Sequence, residues 1–279
     1  MWQLLKIELF KIFRRPRTYI SFVAIGIIIC LIQMAFYLDG ETYINFMLQS
    51  ILQSFDIEGK KVTGYMVCFI ILQTLLLHVP LLVALIGGDM IAGEANMGTL
   101  RLLISKPVSR TNLLVGKFTA TVIYTLILLV WMAVLALGIS LLVFGAGDMI
   151  NQKSGVVIIL ESKDLLWRYI AAFGFAAIAM TTVAALSFLL SIFAENSIGP
   201  IVATMSIIIV FTILTTMDLP LFNAIKPFLF TSHMLGWKGF FDDPVNYSGV
   251  LKSAAVLLLH IVGFAGGAIL IFRKKDVLS

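Results

Sequence analysis

The sequence predicts an all-α protein that crosses the membrane six times. Hydrophobic residues make up 60% of its 279 residues and charged residues 13%, whereas soluble domains are nearer half apolar and a quarter charged. The charges sit at the ends of long apolar stretches, six of which reach the roughly 20 residues that a helix needs to cross the ~30 Å hydrocarbon layer. These predicted spans are residues 18–38, 65–86, 113–144, 169–193, 198–217 and 250–272.

The distribution of Lys and Arg predicts that both ends of the chain are cytoplasmic. With the N-terminus inside, twelve of the 20 basic residues and five of the 15 acidic residues lie on the inner side, which is the usual excess of positive charge. An even number of spans returns the chain to that side. The net charge of +5 is explained by topology, so the expected surroundings are the lipid bilayer of the cell membrane, with no nucleic-acid partner. No cleavable signal peptide is expected.

The segments that join the spans have patterns of their own. Residues 1–17 predict an amphipathic interfacial elbow helix, which Pro16 separates from the first span. Helical spacing at 41–55 predicts another interfacial piece, and 145–167 predicts a short polar loop. Residues 218–247 contain three prolines and many aromatic side chains. We expect a re-entrant or interfacial segment there, with its backbone covered by protein.

The loop between the second and third spans carries the most specific motif. Its parts are Glu94, Gly98-Thr99-Leu100, Pro107-Val108-Ser109-Arg110 and Gly116-Lys117. The acid, the apolar stripe after it and the proline stop predict a short surface helix over 94–105. Ser109 is placed to cap the helix that enters the third span.

This order and spacing resembles the type-2 permeases of ATP-binding-cassette (ABC) exporters, and the topology resembles them over the whole chain. The resemblance implies one permease domain over 1–279, half of a transporter that includes a second permease, identical or related, and two ABC ATPase subunits. The 94–105 segment would be the coupling helix that docks on the ATPase. The residues expected there are Glu94, Met97, Gly98, Thr99, Leu100, Arg101, Leu103 and Ile104. Glu195 and Asn196 would form a second, smaller contact.

The chain is expected to bind no cofactor and no metal and to be non-catalytic, since the partner subunit would use ATP and Mg. A phosphate-binding loop needs Gly-Lys followed by Ser or Thr. The two Gly-Lys pairs, at 59–60 and 116–117, are followed by Lys61 and Phe118. Cys30 and Cys68 lie in apolar runs and are expected to be free thiols.

Polar side chains within the spans are candidates for a substrate path or gate. They are Gln73, His78 and Pro80 in the second span and His260 in the sixth. Because polar groups in hydrocarbon usually face the bundle interior, helix–helix hydrogen bonding is the alternative explanation. Pro80 is also expected to bend its helix.

Two other classes of membrane protein remain as alternatives. An intramembrane hydrolase would pair a serine of the fourth span, Ser187 or Ser191, with His260, although Ser187 lacks the Gly-x-Ser setting of such nucleophiles. An ion-coupled carrier would place acids within its spans. Every acid here maps to a span end or a loop, which favours an external energy source.

Overall fold

The computed structural model describes residues 2–47, 49, 61–100, 108–153, 156–217 and 219–275. Within these residues, six helices are long and apolar enough to cross a membrane, which confirms the all-α membrane fold. The described helices of the first half are α1 (Trp2–Arg14), α2 (Pro16–Met47), α3 (Gly64–Thr74), α4 (His78–Asn96), α5 (Arg110–Ala133) and α6 (Ser140–Phe144). The second half contains β1 (Met149–Lys153), β2 (Val156–Leu160), α7 (Ser162–Ser191), α8 (Ile198–Thr216), α9 (Pro220–Asn223), α10 (Phe230–Met234) and α11 (Tyr247–Lys274).

The second span consists of two helices rather than the one that was predicted. α3 ends at Thr74 and α4 begins at His78. Pro80 lies in the first turn of α4 and has no N–H for the carbonyl four residues earlier, which accounts for an interruption close to the predicted bend. α4 continues past residue 86, the predicted end of the span, to Asn96.

The third span is a continuous rod from Arg110 to Phe144 that includes a π-helical turn at Val134–Ile139. Its 35 residues measure about 50 Å at the α-helical rise, which exceeds the ~30 Å hydrocarbon layer. The Gln33 side chain of α2 donates to the Leu135 carbonyl at 2.9 Å and to Ser140 Oγ at 3.0 Å. The buried side-chain amide of Gln33 therefore donates a hydrogen bond to a main-chain carbonyl inside the π-helical turn.

α4 and α7 form the centre of the bundle. In their most apolar windows 78% and 56% of the residues are buried, against 17% to 28% in the other four spans. The peripheral spans expose large apolar side chains, for example Leu142 at 86% and Leu259 at 71%. Lipid is the solvent that can cover such surfaces, since in water they would be a strong drive to aggregation.

The end of the bundle opposite α1 is closed by a β-hairpin and by short helices. β1 and β2 pair antiparallel, with Met149 opposite Leu160, where a loop without regular structure was predicted. Residues of the predicted segment 218–247 form α9, α10 and two 3₁₀ turns, Lys226–Phe228 and Leu235–Phe241. The Asn151 side chain donates to the Phe241 carbonyl at 3.1 Å and joins the hairpin to the second of these turns.

Candidate functional site

The N-terminal helix α1, which was predicted as an interfacial elbow helix, packs on the start of α5 through a side chain and a glycine. A Cβ atom at Gly116 would overlap Cδ2 of Leu4, so the glycine of the Gly116-Lys117 motif provides the space for this approach. The buried side of α1 includes a charged residue, because Glu8 is only 3% exposed. The outer side carries Trp2 and Phe10, both exposed, as suits a helix at a lipid interface.

Glu8 belongs to a four-charge cluster (Glu8, Lys11, Glu94 and Lys117) that joins α1, α4 and α5. Lys117 Nζ lies 2.9 Å from Glu8 Oε2 and 2.7 Å from Glu94 Oε1. Lys11 Nζ lies 2.9 Å from Glu8 Oε1 and 3.0 Å from Glu94 Oε1. Each ammonium group bridges both carboxylates, so the cluster is neutral as a whole.

Burial makes the pairing of these charges obligatory. Lys117 is 1% exposed and Glu94 is 3% exposed, and an isolated charge would be very costly at such sites. Burial alone would raise the pKa of Glu8, but the ammonium groups of Lys117 and Lys11 outweigh it and lower that pKa below its ordinary value. Burial would lower the pKa of Lys11, whereas Glu8 and Glu94 raise it above its ordinary value. Glu8 and Lys11 therefore both stay charged at neutral pH.

A second set of contacts surrounds Asp89, which lies in the middle of α4 and is 6% exposed. Its carboxylate accepts hydrogen bonds from Arg15, from Arg17 Nη1 at 3.1 Å, and from the hydroxyl of Ser197. The two arginines lie at the junction of α1 and α2, and Ser197 lies in the turn between α7 and α8. We call this group the Asp89 site.

The loop predicted to dock on a partner begins later than expected. Glu94 and Asn96 lie in the last turn of α4, not at the start of a surface helix. Gly98 adopts a left-handed conformation, with φ of 67°, which ends a helix at low cost only in glycine. The chain becomes helical again at Thr99 and Leu100. Residues 101–107, which include Arg101, Leu103 and Ile104, lie outside the described residues.

The predicted docking residues that are described differ in accessibility. Met97 is 55% exposed, whereas Leu100 is 7% exposed, so of these two described side chains Met97 can form an apolar contact without rearrangement. Thr99 Oγ1 donates to the Glu94 carbonyl at 3.3 Å, which holds the new helix against the end of α4. Glu94 is committed to the four-charge cluster and does not face outward.

The predicted second contact lies close to the Asp89 site. Glu195 and Asn196 are both exposed in the turn between α7 and α8. Asn196 Oδ1 accepts from the Gly199 amide, in the first turn of α8, at 3.1 Å. The next residue, Ser197, is buried and bonds Asp89. Both predicted contact regions are thus connected to α4, one through Glu94 and one through Asp89.

The structure does not bring the polar residues of the spans into one site. Gln73 accepts from Lys238 Nζ at 3.1 Å, and His78 is exposed with its Nδ1 3.1 Å from the Thr74 carbonyl. His260 packs between the rings of Phe230 and Phe264, at centroid distances of 6.0 and 5.6 Å. Pro80 is buried in the first turn of α4.

The serines of the hydrolase alternative bond main-chain carbonyls. Ser187 Oγ donates to Ala84 at 2.8 Å and Ser191 Oγ donates to Phe188 at 2.6 Å, while His260 Nδ1 lies 2.9 Å from the Val256 carbonyl. A different pair does meet: His233 Nδ1 lies 3.2 Å from Ser253 Oγ, and His233 Nε2 lies 2.9 Å from the Pro227 carbonyl. Within the described ranges, no group of three or more His, Cys, Asp or Glu side chains is placed to hold a metal ion.

Sequence reasoning did not identify most of the residues that build these two sites: Glu8, Lys11, Arg15, Arg17, Asp89 and Ser197. One signal could have found them. Asp89 and Glu94 are acids in a helix that is otherwise apolar, and acids in such a position need basic partners. Lys11, Arg15 and Arg17 of the N-terminal segment and Lys117 at the start of α5 supply them.

Comparison with known proteins gives two matches. Residues 26–278 match the family described as "Protein of unknown function (DUF2705)". A 201-residue stretch is 24% identical to "Uncharacterized protein YhcI" of Bacillus subtilis (strain 168). That match covers 69% of this chain and 63% of the relative, so the chain is aligned with somewhat less than two thirds of the relative's length.

Proposed function

Because the chain belongs to the family described as "Protein of unknown function (DUF2705)", we propose a role from its own residues: the membrane-spanning permease subunit of an ATP-driven ABC exporter. In this proposal the chain itself performs no catalysis. It pairs with a second permease and with two ABC ATPase subunits, whose nucleotide hydrolysis supplies the energy. The membrane is the cell membrane, and both ends of the chain are cytoplasmic.

The observation that carries the proposal is the position of α4. This helix ends at the loop that contains the exporter-like motif, and it holds both Glu94 and Asp89. Through them it is bonded to the elbow helix, to the entrance of the third span and to the turn between α7 and α8. A force applied at the loop would therefore reach several spans at once, which is what a coupling segment must do.

The same charges weigh against the carrier alternative. Asp89 lies in α4, three residues past the predicted end of the second span, and it is compensated by Arg15 and Arg17. An ion-coupled carrier needs an acid that can exchange a proton or metal ion during transport. An acid that already bonds two guanidinium groups suits a fixed structural link better.

The hydrolase alternative has one observation in its favour, the contact between His233 and Ser253. Ser253 lies in α11, and His233 lies in α10 of the predicted re-entrant segment. A serine-directed fluorophosphonate probe separates the two proposals, since a permease subunit has no activated serine. Labelling of the wild-type chain that disappears in Ser253→Ala would support the hydrolase and contradict the permease proposal.

The test of the permease proposal is recovery of the partner. The tagged chain is purified in mild detergent from its native host, and we expect a soluble ATPase with a Gly-rich phosphate-binding loop to co-purify in stoichiometric amount. Met97→Asp places a charge at the exposed docking position. If Met97 is a central apolar contact, the change should weaken ATPase binding by about 2 kcal/mol or more.

The matched control is Ile159→Asp, which places the same charge on a 63% exposed side chain of the hairpin at the opposite end of the bundle. This variant should retain the ATPase. A wild-type chain that purifies without any ATPase would contradict the permease assignment. A wild-type complex that Met97→Asp leaves intact would contradict only the docking site.

A further inference from the structure

An apolar cleft opens on the side of the bundle, beside the interruption between α3 and α4. The cleft is open to its surroundings, and the empty space between its walls is about 460 Å³. Side chains of α3, α5, α7, the interruption between α3 and α4, and the Leu235–Phe241 turn line it, including Leu72, Leu76, Met132, Ala176 and Trp237. Leu77, in the interruption itself, is 47% exposed, so the surface around the opening is one that lipid covers.

A cation lies beside this apolar cleft. Lys238 follows Trp237 in the chain, and its Nζ lies 5.9 Å from the centroid of the Trp237 ring and 3.1 Å from Gln73 Oε1. Gln73 in turn follows Leu72, so both partners of Lys238 are attached to the cleft wall. The side chain is half-buried, and burial lowers the pKa of its ammonium group.

No carboxylate in the described part of the chain forms an ion pair with Lys238. By contrast, Lys11 and Lys117 at the end of the bundle near α1 each contact two carboxylates. An ammonium group carries three N–H donors, and Gln73 takes one. The remaining donors can bind an anion from outside the chain.

We propose that this cleft binds an anionic phospholipid, with an acyl chain between Leu72, Leu76 and Trp237 and the phosphate at Lys238. The apolar wall and the single cation at its edge correspond to the two parts of such a lipid. A zwitterionic lipid has the same chain but also carries a positive group, which Lys238 repels. The site is independent of the permease proposal, because its side chains belong neither to the predicted docking loop nor to the Asp89 site.

The probe is fluorescence quenching of Trp237 by brominated lipids. The full-length chain with Trp2, Trp131 and Trp167 changed to Phe is reconstituted in vesicles that contain dibrominated phosphatidylglycerol or dibrominated phosphatidylcholine. We expect quenching to favour phosphatidylglycerol by about fivefold in apparent affinity, the effect of one basic residue on an anionic lipid. Lys238→Gln should abolish the preference, and Lys238→Arg should keep it.

Lys252→Gln is the matched control, because it removes the same charge from an exposed residue at the same end of the bundle and should keep the preference. Native mass spectrometry of the wild-type chain and of Lys238→Gln gives the same comparison without the tryptophan changes, as the ratio of retained phosphatidylglycerol to phosphatidylcholine. A preference that survives in Lys238→Gln, or equal quenching by the two lipids in wild type, would overturn the proposal. So would displacement of phosphatidylglycerol by oleate or by an apolar peptide at lower concentration.

Discussion

Lys117 forms the ion pairs that join α5 to α1 and to α4. It is 1% exposed and bonds both Glu8 and Glu94. Replacing it by Met would retain most of its length but leave two buried carboxylates with Lys11 as their remaining cation in the cluster. We expect Lys117→Met to lower the free energy of unfolding by about 3–5 kcal/mol, the usual cost of removing one member of a buried ion pair. The midpoint of thermal unfolding in detergent is the measurement.

The same experiment has an internal check. Glu8→Gln added to Lys117→Met removes one of the carboxylates that have lost a cation. The double variant should therefore recover part of the lost free energy of unfolding. A double-mutant cycle should show the coupling between the two positions. Lys163→Met, which removes the exposed partner of Glu161, should leave the midpoint unchanged. Lys117→Met with wild-type stability would mean that the cluster contributes nothing to the fold.

At the scale of the helices, Gly116 determines how closely the elbow helix approaches the third span. An added Cβ meets only the flexible end of Leu4, so alanine can be accommodated by a rotamer change. A leucine cannot, and overpacking of this kind costs about 1–3 kcal/mol. We expect Gly116→Leu to detach α1 and to raise hydrogen exchange of its amides about tenfold or more. Gly174→Leu, at a position with nothing within 4 Å, should leave α1 protected.

The helices show what the sequence could and could not predict. Apolar length identified all six spans, and the β-region dihedrals and side-chain bond of Ser109 confirm it as the cap of α5. The predicted end of the second span was wrong because Glu94 was interpreted as the start of a new helix, whereas it lies in the last turn of α4. Its partners Lys11 and Lys117 are 83 and 23 residues away in sequence, and local patterns carry no information about such contacts. The hairpin was missed although Val156–Leu160 is a run of β-branched and apolar residues, which is typical of strands.

The same limit applies to the candidate sites. Met97 and the turn at Glu195 could be identified from sequence because they are local features of loops. The Asp89 site could not, since it combines residues from the elbow, from α4 and from the turn before α8. Tertiary packing alone decides which of the three arginines of residues 1–17 reaches a given acid.

For the whole molecule, the contacts at the elbow end place both chain ends on the same side of the bundle. Arg110 Nη1 donates to the Lys275 carbonyl at 2.9 Å, and Lys275 Nζ donates to the Ile192 carbonyl at 2.6 Å. The elbow helix is bonded to α4 and α5 at that same end. An even number of spans requires this arrangement, and the excess of basic residues there predicts that the end faces the cytoplasm.

The orientation can be tested with single cysteines in a background where Cys30 and Cys68 are changed to Ala. Asn196→Cys lies at the elbow end and Ile159→Cys lies at the hairpin end, and both side chains are exposed. A membrane-impermeant maleimide should label Ile159→Cys in intact cells and label Asn196→Cys only after permeabilisation. The opposite result would place Met97 outside the cell. No ATP-hydrolysing partner could then reach it, so this one measurement also decides whether the docking proposal is physically possible.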